Sequence, residues 1–254
     1  MRATSLFGPT LHALRPRLLA LLALAAVFLF VALSAALFLR DEAGHVEIGQ
    51  LFLIGGYPLA SAVLLLGWLL SRFPMIAALV LLAGFFSADH ERGHARLIAT
   101  RPVSLTGVYG ARLLLLIGLA FLISALLLPL FDLLMLGGHW AGPVVFVIIA
   151  GQILVYGSLC ALLSIWTRGD AWITLLIAII AITWDAVLRV GSVYVPPGAR
   201  AFVGTLLPPQ SAMFRLEGAY SATQAIPWDA FAFVVAWSFV VLLLAAASLR
   251  LREL

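Results

Sequence analysis

The sequence predicts an all-α integral membrane protein with six transmembrane helices, and three observations carry that prediction. Apolar runs recur along the 254 residues at a length that fits the roughly 20 residues a helix needs to cross a bilayer. Only 10% of residues are charged, and the mean hydropathy is +1.16. The arginines, finally, cluster in the segments between apolar runs on alternate sides, the bias expected of loops that flank a membrane.

The elements follow in order. Residues 4–16 mix Leu6, Phe7, Leu11 and Leu14 with His12 and Arg15, which reads as a short helix lying on the membrane surface, although Pro9 and Pro16 also suit an irregular tether. The first span covers 18–39. Its length, and the lack of a small-residue cleavage site before the next polar stretch, argue for an uncleaved span over a signal peptide. Apolar stretches follow at 51–71 and 73–87, the second too short for an ordinary crossing. Pro74 beside Arg72 marks a break at 72–74, so that 51–87 makes one net crossing, with 51–71 as a re-entrant or interfacial piece. A charged helix is expected over 88–100. Further spans are expected over 108–131, 141–165, 171–188 and 229–249. The connection 189–227 carries the pairs Pro196-Pro197 and Pro208-Pro209, and is expected to fold as a cap over the bundle's outer face.

Arginine placement decides between six and seven crossings. With six, and both termini cytoplasmic, the inside holds Arg2, Arg15, Arg17, Arg92, Arg96, Arg101, Arg112, Arg168, Arg250 and Arg252. The outside then holds only Arg40, Arg189, Arg200 and Arg215. A seventh crossing would leave seven arginines inside and eight outside, so the positive-inside rule favours six.

Several function classes fall away. The net charge of +4 resides on membrane-flanking arginines with no soluble domain to display them, which argues against nucleic-acid binding. The chain has no lysine and no G-x-x-x-x-G-K-[ST] loop, so any ATP that powers it is bound by another chain. The single cysteine, Cys160, allows no intrachain disulfide and lies in an apolar segment suited to helix packing.

One short motif points to catalysis. His90-Glu91-Arg92-Gly93-His94 matches H-E-x-x-H, in which a helix sets two imidazoles on one face of a zinc ion and the glutamate activates bound water. His90 and His94 have that spacing. A catalytic zinc wants a third protein ligand, however, and His12, His45, His139 and the acidic residues offer none in a suitable context. Gly93 also weakens the helix that would orient the pair.

The same stretch supports another reading. "FFSADHERGHARLIATRPVSLTGVYGARLL", Phe85 to Leu114, resembles the segment after the second span of type-2 ABC exporter permeases, with Asp89 and Glu91 at the family's acidic positions. Gly93 stands at its glycine, Pro102 at its proline, and Arg112 at its usual lysine. His94 stands in place of a Thr or Ser, and Leu105 in place of an arginine. "LLPPQSAMFRL", Leu206 to Leu216, is similar to the stretch before the family's last span, with Pro208-Pro209 in place of Asn-Pro. Within the family the chain looks most like permeases of multicopper-enzyme maturation systems.

That resemblance implies a multi-pass subunit of a bacterial cytoplasmic (inner) membrane, paired with a second permease chain and driven by cytoplasmic ATP-binding subunits that hold ATP and Mg. It implies export, with no cofactor in this chain, and a coupling helix in which Asp89, Glu91, Arg92 and Arg96 face the ATPase while Gly93 and Pro102 shape the turn. Charged groups at such a boundary set register and encounter. Other readings are a membrane scaffold or assembly factor, and a membrane zinc metallopeptidase.

Polar residues inside the spans are few. Asp185 and Arg189, one helical turn apart, either line a route or anchor their helix at the interface. Gln152, Tyr156, Ser158 and Ser164 suit interhelical hydrogen bonding or substrate contact, and Gly151 and Gly157 permit close packing. Arg72 is either a snorkelling residue or a pathway charge.

Overall fold

A computed structural model describes residues 14–30, 52–54, 57–59, 72–91, 104–131, 143–190, 196–221 and 225–253. The described residues are almost wholly helical, as an apolar solvent that offers no hydrogen bonds to the backbone requires. In chain order the elements are α1 (14–30), β1 (Phe52–Ile54), β2 (Tyr57–Leu59), α2 (Phe73–Leu82), α3 (Ser87–Glu91), α4 (Leu105–Phe131), α5 (Val144–Trp166), α6 (Asp170–Val190), α7 (Pro197–Leu206), α8 (Gln210–Ser221) and α9 (Trp228–Glu253). Among the described residues, five stretches are long and apolar enough to cross a membrane: Phe73–Glu91, Thr106–Leu127, Val144–Trp166, Asp170–Leu188 and Trp228–Leu251. The chain is thus a multi-pass membrane protein.

Contacts divide it into two units. The first is Met1–Phe73 with Leu122–Trp140. Here α1 runs through residues 14–17 without interruption at Pro16, and buries Leu14, Leu21, Ala25 and Phe28 along one face. Within the stretch expected to be re-entrant, β1 and β2 pair antiparallel with Ile54 opposite Tyr57. Gly55-Gly56 stands between them, the sequence that suits a two-residue hairpin connection. Arg72 is half-buried at the start of the helix that continues as α2.

The second unit, Pro74–Phe121 with Ala141–Leu254, holds the polar clusters described below. Its centre is α5, with 78% of its span buried, against 22%, 22% and 28% for α4, α6 and α9. A helix apolar on every side and covered on every side is a bundle core. It packs on α9, α6, α8 and α3. Two glycines allow this crowding, each toward a different neighbour. A Cβ at Gly157 would lie 3.1 Å from Leu82 and 3.7 Å from Ile117, and one at Gly151 would lie 3.2 Å from Met213 and 3.5 Å from Val234. In lipid, such close dispersion contacts take over the role that apolar burial has in water. The Ser158 and Ser164 hydroxyls donate to Val155 and Ala161 carbonyls of their own helix, at 3.0 and 2.9 Å.

The connection between α6 and α9, expected as a cap, is a pair of helices. Pro197 opens α7 at a position where a missing N–H costs nothing. Pro208-Pro209 separates α7 from α8, and α8 buries Gln210, Ala212, Met213, Leu216 and Ala219 against α5, α9 and α6.

Candidate functional site: a braced polar cluster at one end of the bundle

The apolar helix α2 ends at a glycine. The Ala83 N–H still reaches the Leu79 carbonyl at 2.8 Å, Gly84 then takes φ 63°, and the chain restarts as α3. That left-handed backbone favours glycine and closes the helix as a C-terminal cap. The Gly84 N–H, turned off the helix ladder, donates to Asp170 Oδ2 at 2.7 Å.

Asp170 begins α6 directly after the short turn Thr167–Gly169, and is buried. Its other oxygen, Oδ1, accepts the Ala171 N–H at 2.8 Å, and the Thr174 hydroxyl caps its carbonyl at 2.7 Å. A carboxylate at a helix N-terminus is favoured by the unsatisfied amides and dipole there. One acidic side chain therefore ties the start of α6 to the end of α2.

A second tie lies one turn further along. Asp89 Oδ2 accepts from Arg112 Nη1 at 2.5 Å and from the Tyr109 hydroxyl at 3.3 Å, joining α3 to the first turns of α4. Phe85 and Phe86 enclose this pair, each edge-on to Tyr109 at 5.6 and 5.1 Å, and the Arg112 guanidinium sits 5.7 Å from the Phe85 ring centre. A third tie joins Glu91 Oε1 to Arg168 Nε at 2.6 Å; Arg168 is 84% exposed and Glu91 42%. This outermost pair contributes little to stability and much to the charge pattern a partner would meet.

The sequence-predicted residues distribute as follows. Asp89 and Glu91 belong to the cluster, Asp89 turned inward and Glu91 outward. Arg92, Gly93, His94, Arg96 and Pro102 lie outside the described residues. His90 is exposed and stacks on Phe86 at 5.8 Å, while Glu91 is engaged by Arg168. Among the described residues no three His, Cys, Asp or Glu side chains gather as a metal site would require. Asp185 is buried in the last turns of α6; Arg189 follows one turn on, its side chain outside the described set.

Gln152 and Tyr156 form a separate group on α5. Gln152 Nε2 donates to Glu217 Oε1 at 3.2 Å, and Gln210 Nε2 donates to the Tyr156 hydroxyl, so both bind α8. Tyr109, Arg168, Asp170, Gln210 and Glu217 were not anticipated. For Asp170 the signal was present: an acidic residue opening an apolar run after glycine is a helix-start pattern.

The chain matches no family model, no characterised protein and no solved structure.

Proposed function

We propose that this chain is the membrane permease subunit of an ATP-binding cassette transporter of the type-2 exporter kind, driven by a separate cytoplasmic ATPase. The supporting observation is the bracing of α3 and of the turn that leads into it: α3 is tied through Asp89 to α4 and through Glu91 to the α5–α6 turn, and Gly84 of the preceding turn is tied to Asp170 of α6. A helix of one turn or so, joined by charged bonds to α4 and to the α5–α6 turn, with its lead-in turn bonded to α6, carries displacement of itself into the bundle. That is the mechanical requirement on a coupling segment. Glu91 and Arg168 present the exposed charge for docking, and Asp89 transmits it inward.

In this reading the Asp89 end is cytoplasmic, six crossings place both termini on that side, and two copies of the chain, or this chain and a related one, form the path. ATP and Mg belong to the partner. The peptidase reading is less well supported, because His90 and Glu91 are each engaged by a neighbour. A scaffold would share the spans and need no ATPase.

Co-expression with the products of neighbouring genes, extraction in mild detergent and identification of the co-purifying proteins tests the reading. An ATP-binding subunit is the expected companion. A chain that purifies alone with one bound zinc, lost on His90→Ala, would overturn it.

A further inference from the structure

We infer that the α5–α6 corner holds a phospholipid with a phosphoethanolamine headgroup, whose phosphate meets Arg168 and whose ammonium meets Glu91. The inference concerns the chain alone and stands whether or not an ATPase docks on the same pair.

The level of the corner is set by the apolar stretches that meet there. Phe73–Glu91 and Val144–Trp166 stop at it, and Thr106–Leu127 and Asp170–Leu188 start at it. The Glu91–Arg168 contact ties the end of the first stretch to the turn after the second, and the Asp89–Arg112 bond brings in the start of α4. A boundary between apolar and polar sequence shared by four stretches lies at the lipid headgroups. Trp166 and Trp172 flank the turn, and both are exposed, Trp172 to 77%. Such exposure of an indole is costly in water, whereas the headgroup layer is where its apolar ring and its N–H are both accommodated. From Trp172, the exposed Leu176 and Ile180 continue one stripe along α6 into the apolar part of the span, a path for an acyl chain beneath the headgroup.

Charge selects the headgroup. Among the charged groups described at this corner, Asp89 and Arg112 satisfy one another, and Asp170 is buried and accepts the Gly84 and Ala171 N–H groups. Glu91 and Arg168 remain exposed, one negative and one positive. Their contact is between Oε1 and Nε, which leaves Oε2 and the two Nη groups for a further partner. A pair of this kind has no net charge to draw an anionic lipid, but it sets donors for a phosphate beside an acceptor for an ammonium. Phosphocholine offers the same phosphate with a nitrogen that carries no N–H, and phosphoglycerol offers no cation. Phosphoethanolamine is the headgroup that uses both sides. The other exposed pair, Arg215 with Asp229 beside the exposed Trp228, differs: Asp229 lies in the first turn of α9, and its carboxylate also accepts the Ala230 N–H.

Native mass spectrometry of the purified chain in mild detergent tests this, with phosphatidylethanolamine, phosphatidylcholine and phosphatidylglycerol of identical acyl chains added in equal amounts. Phosphatidylethanolamine is expected to be retained about threefold over either of the others, the worth of one exposed charged bond. Glu91→Gln is expected to erase its advantage over phosphatidylcholine, whereas Asp229→Asn, which removes the same charge from the other exposed pair, leaves it. Arg168→Gln and Trp172→Ala lower retention of all three lipids. Glycerophosphoethanolamine, the headgroup without acyl chains, does not displace the bound lipid. Equal retention of the three lipids by the native chain, an advantage that survives Glu91→Gln or vanishes with Asp229→Asn, retention unmoved by Arg168→Gln or by Trp172→Ala, or displacement by glycerophosphoethanolamine overturns the inference.

Discussion

Asp170→Ala is expected to destabilise the protein by roughly 3 kcal/mol, because a buried carboxylate that accepts two backbone N–H groups is replaced by a methyl that accepts none. The loss falls on both partners. The Ala171 N–H loses the acceptor that caps α6, and the Gly84 N–H, directed off its own helix by a positive φ, has no ladder to return to. Cys160, the only cysteine and fully buried, gives a built-in reporter: heating in detergent with a thiol-reactive fluorophore should expose it at a lower temperature in the variant. An unchanged transition would mean that the α2–α6 tie carries no load.

Asp89→Ala is expected to cost about 2 kcal/mol, below the 3–5 kcal/mol typical of breaking a fully buried pair, because Asp89 and Arg112 side chains keep 15% and 20% exposure. The Arg112 side chain would keep its buried Nε, which already has no acceptor, and lose the carboxylate that holds Nη1. Arg112→Ala should cost a comparable amount, and the double variant should fall short of the sum by at least about 1 kcal/mol, the signature of a direct interaction in a double-mutant cycle. Additive costs would separate the two residues. Tyr109→Phe, which removes the weaker 3.3 Å bond and keeps the ring against Phe85 and Phe86, serves as the mild comparison.

These expectations divide what was legible in the sequence from what was not. The apolar stretches were legible because lipid demands about 20 consecutive apolar residues and tolerates no unpaired backbone, so hydropathy alone locates long helices. Gly151 and Gly157 were legible as close-packing positions, although not that one admits Met213 and the other Leu82. The burial of α8 was hidden. A segment with Arg215 and Glu217 reads as a water-exposed loop, whereas Met213 and Leu216 are buried and Gln210 and Glu217 bond residues 54 and 65 positions earlier. For Asp170 the helix-start position was legible, but not its bond to Gly84, 86 residues away. Asp89 was found as an acidic residue of the charged segment, but its direction was not: charge on a short helix suggests solvent, whereas Arg112 and Tyr109 draw it inward.

The proposed entry of force from a separate ATPase through α3 is tested most directly by measuring ATP hydrolysis in the purified complex reconstituted in lipid, comparing the native chain with Glu91→Ala and with Asp89→Ala. An ATP-binding subunit is expected to supply the hydrolysis, and both substitutions are expected to lower it while the complex stays assembled. Hydrolysis that is indifferent to both, in an intact complex, would contradict it.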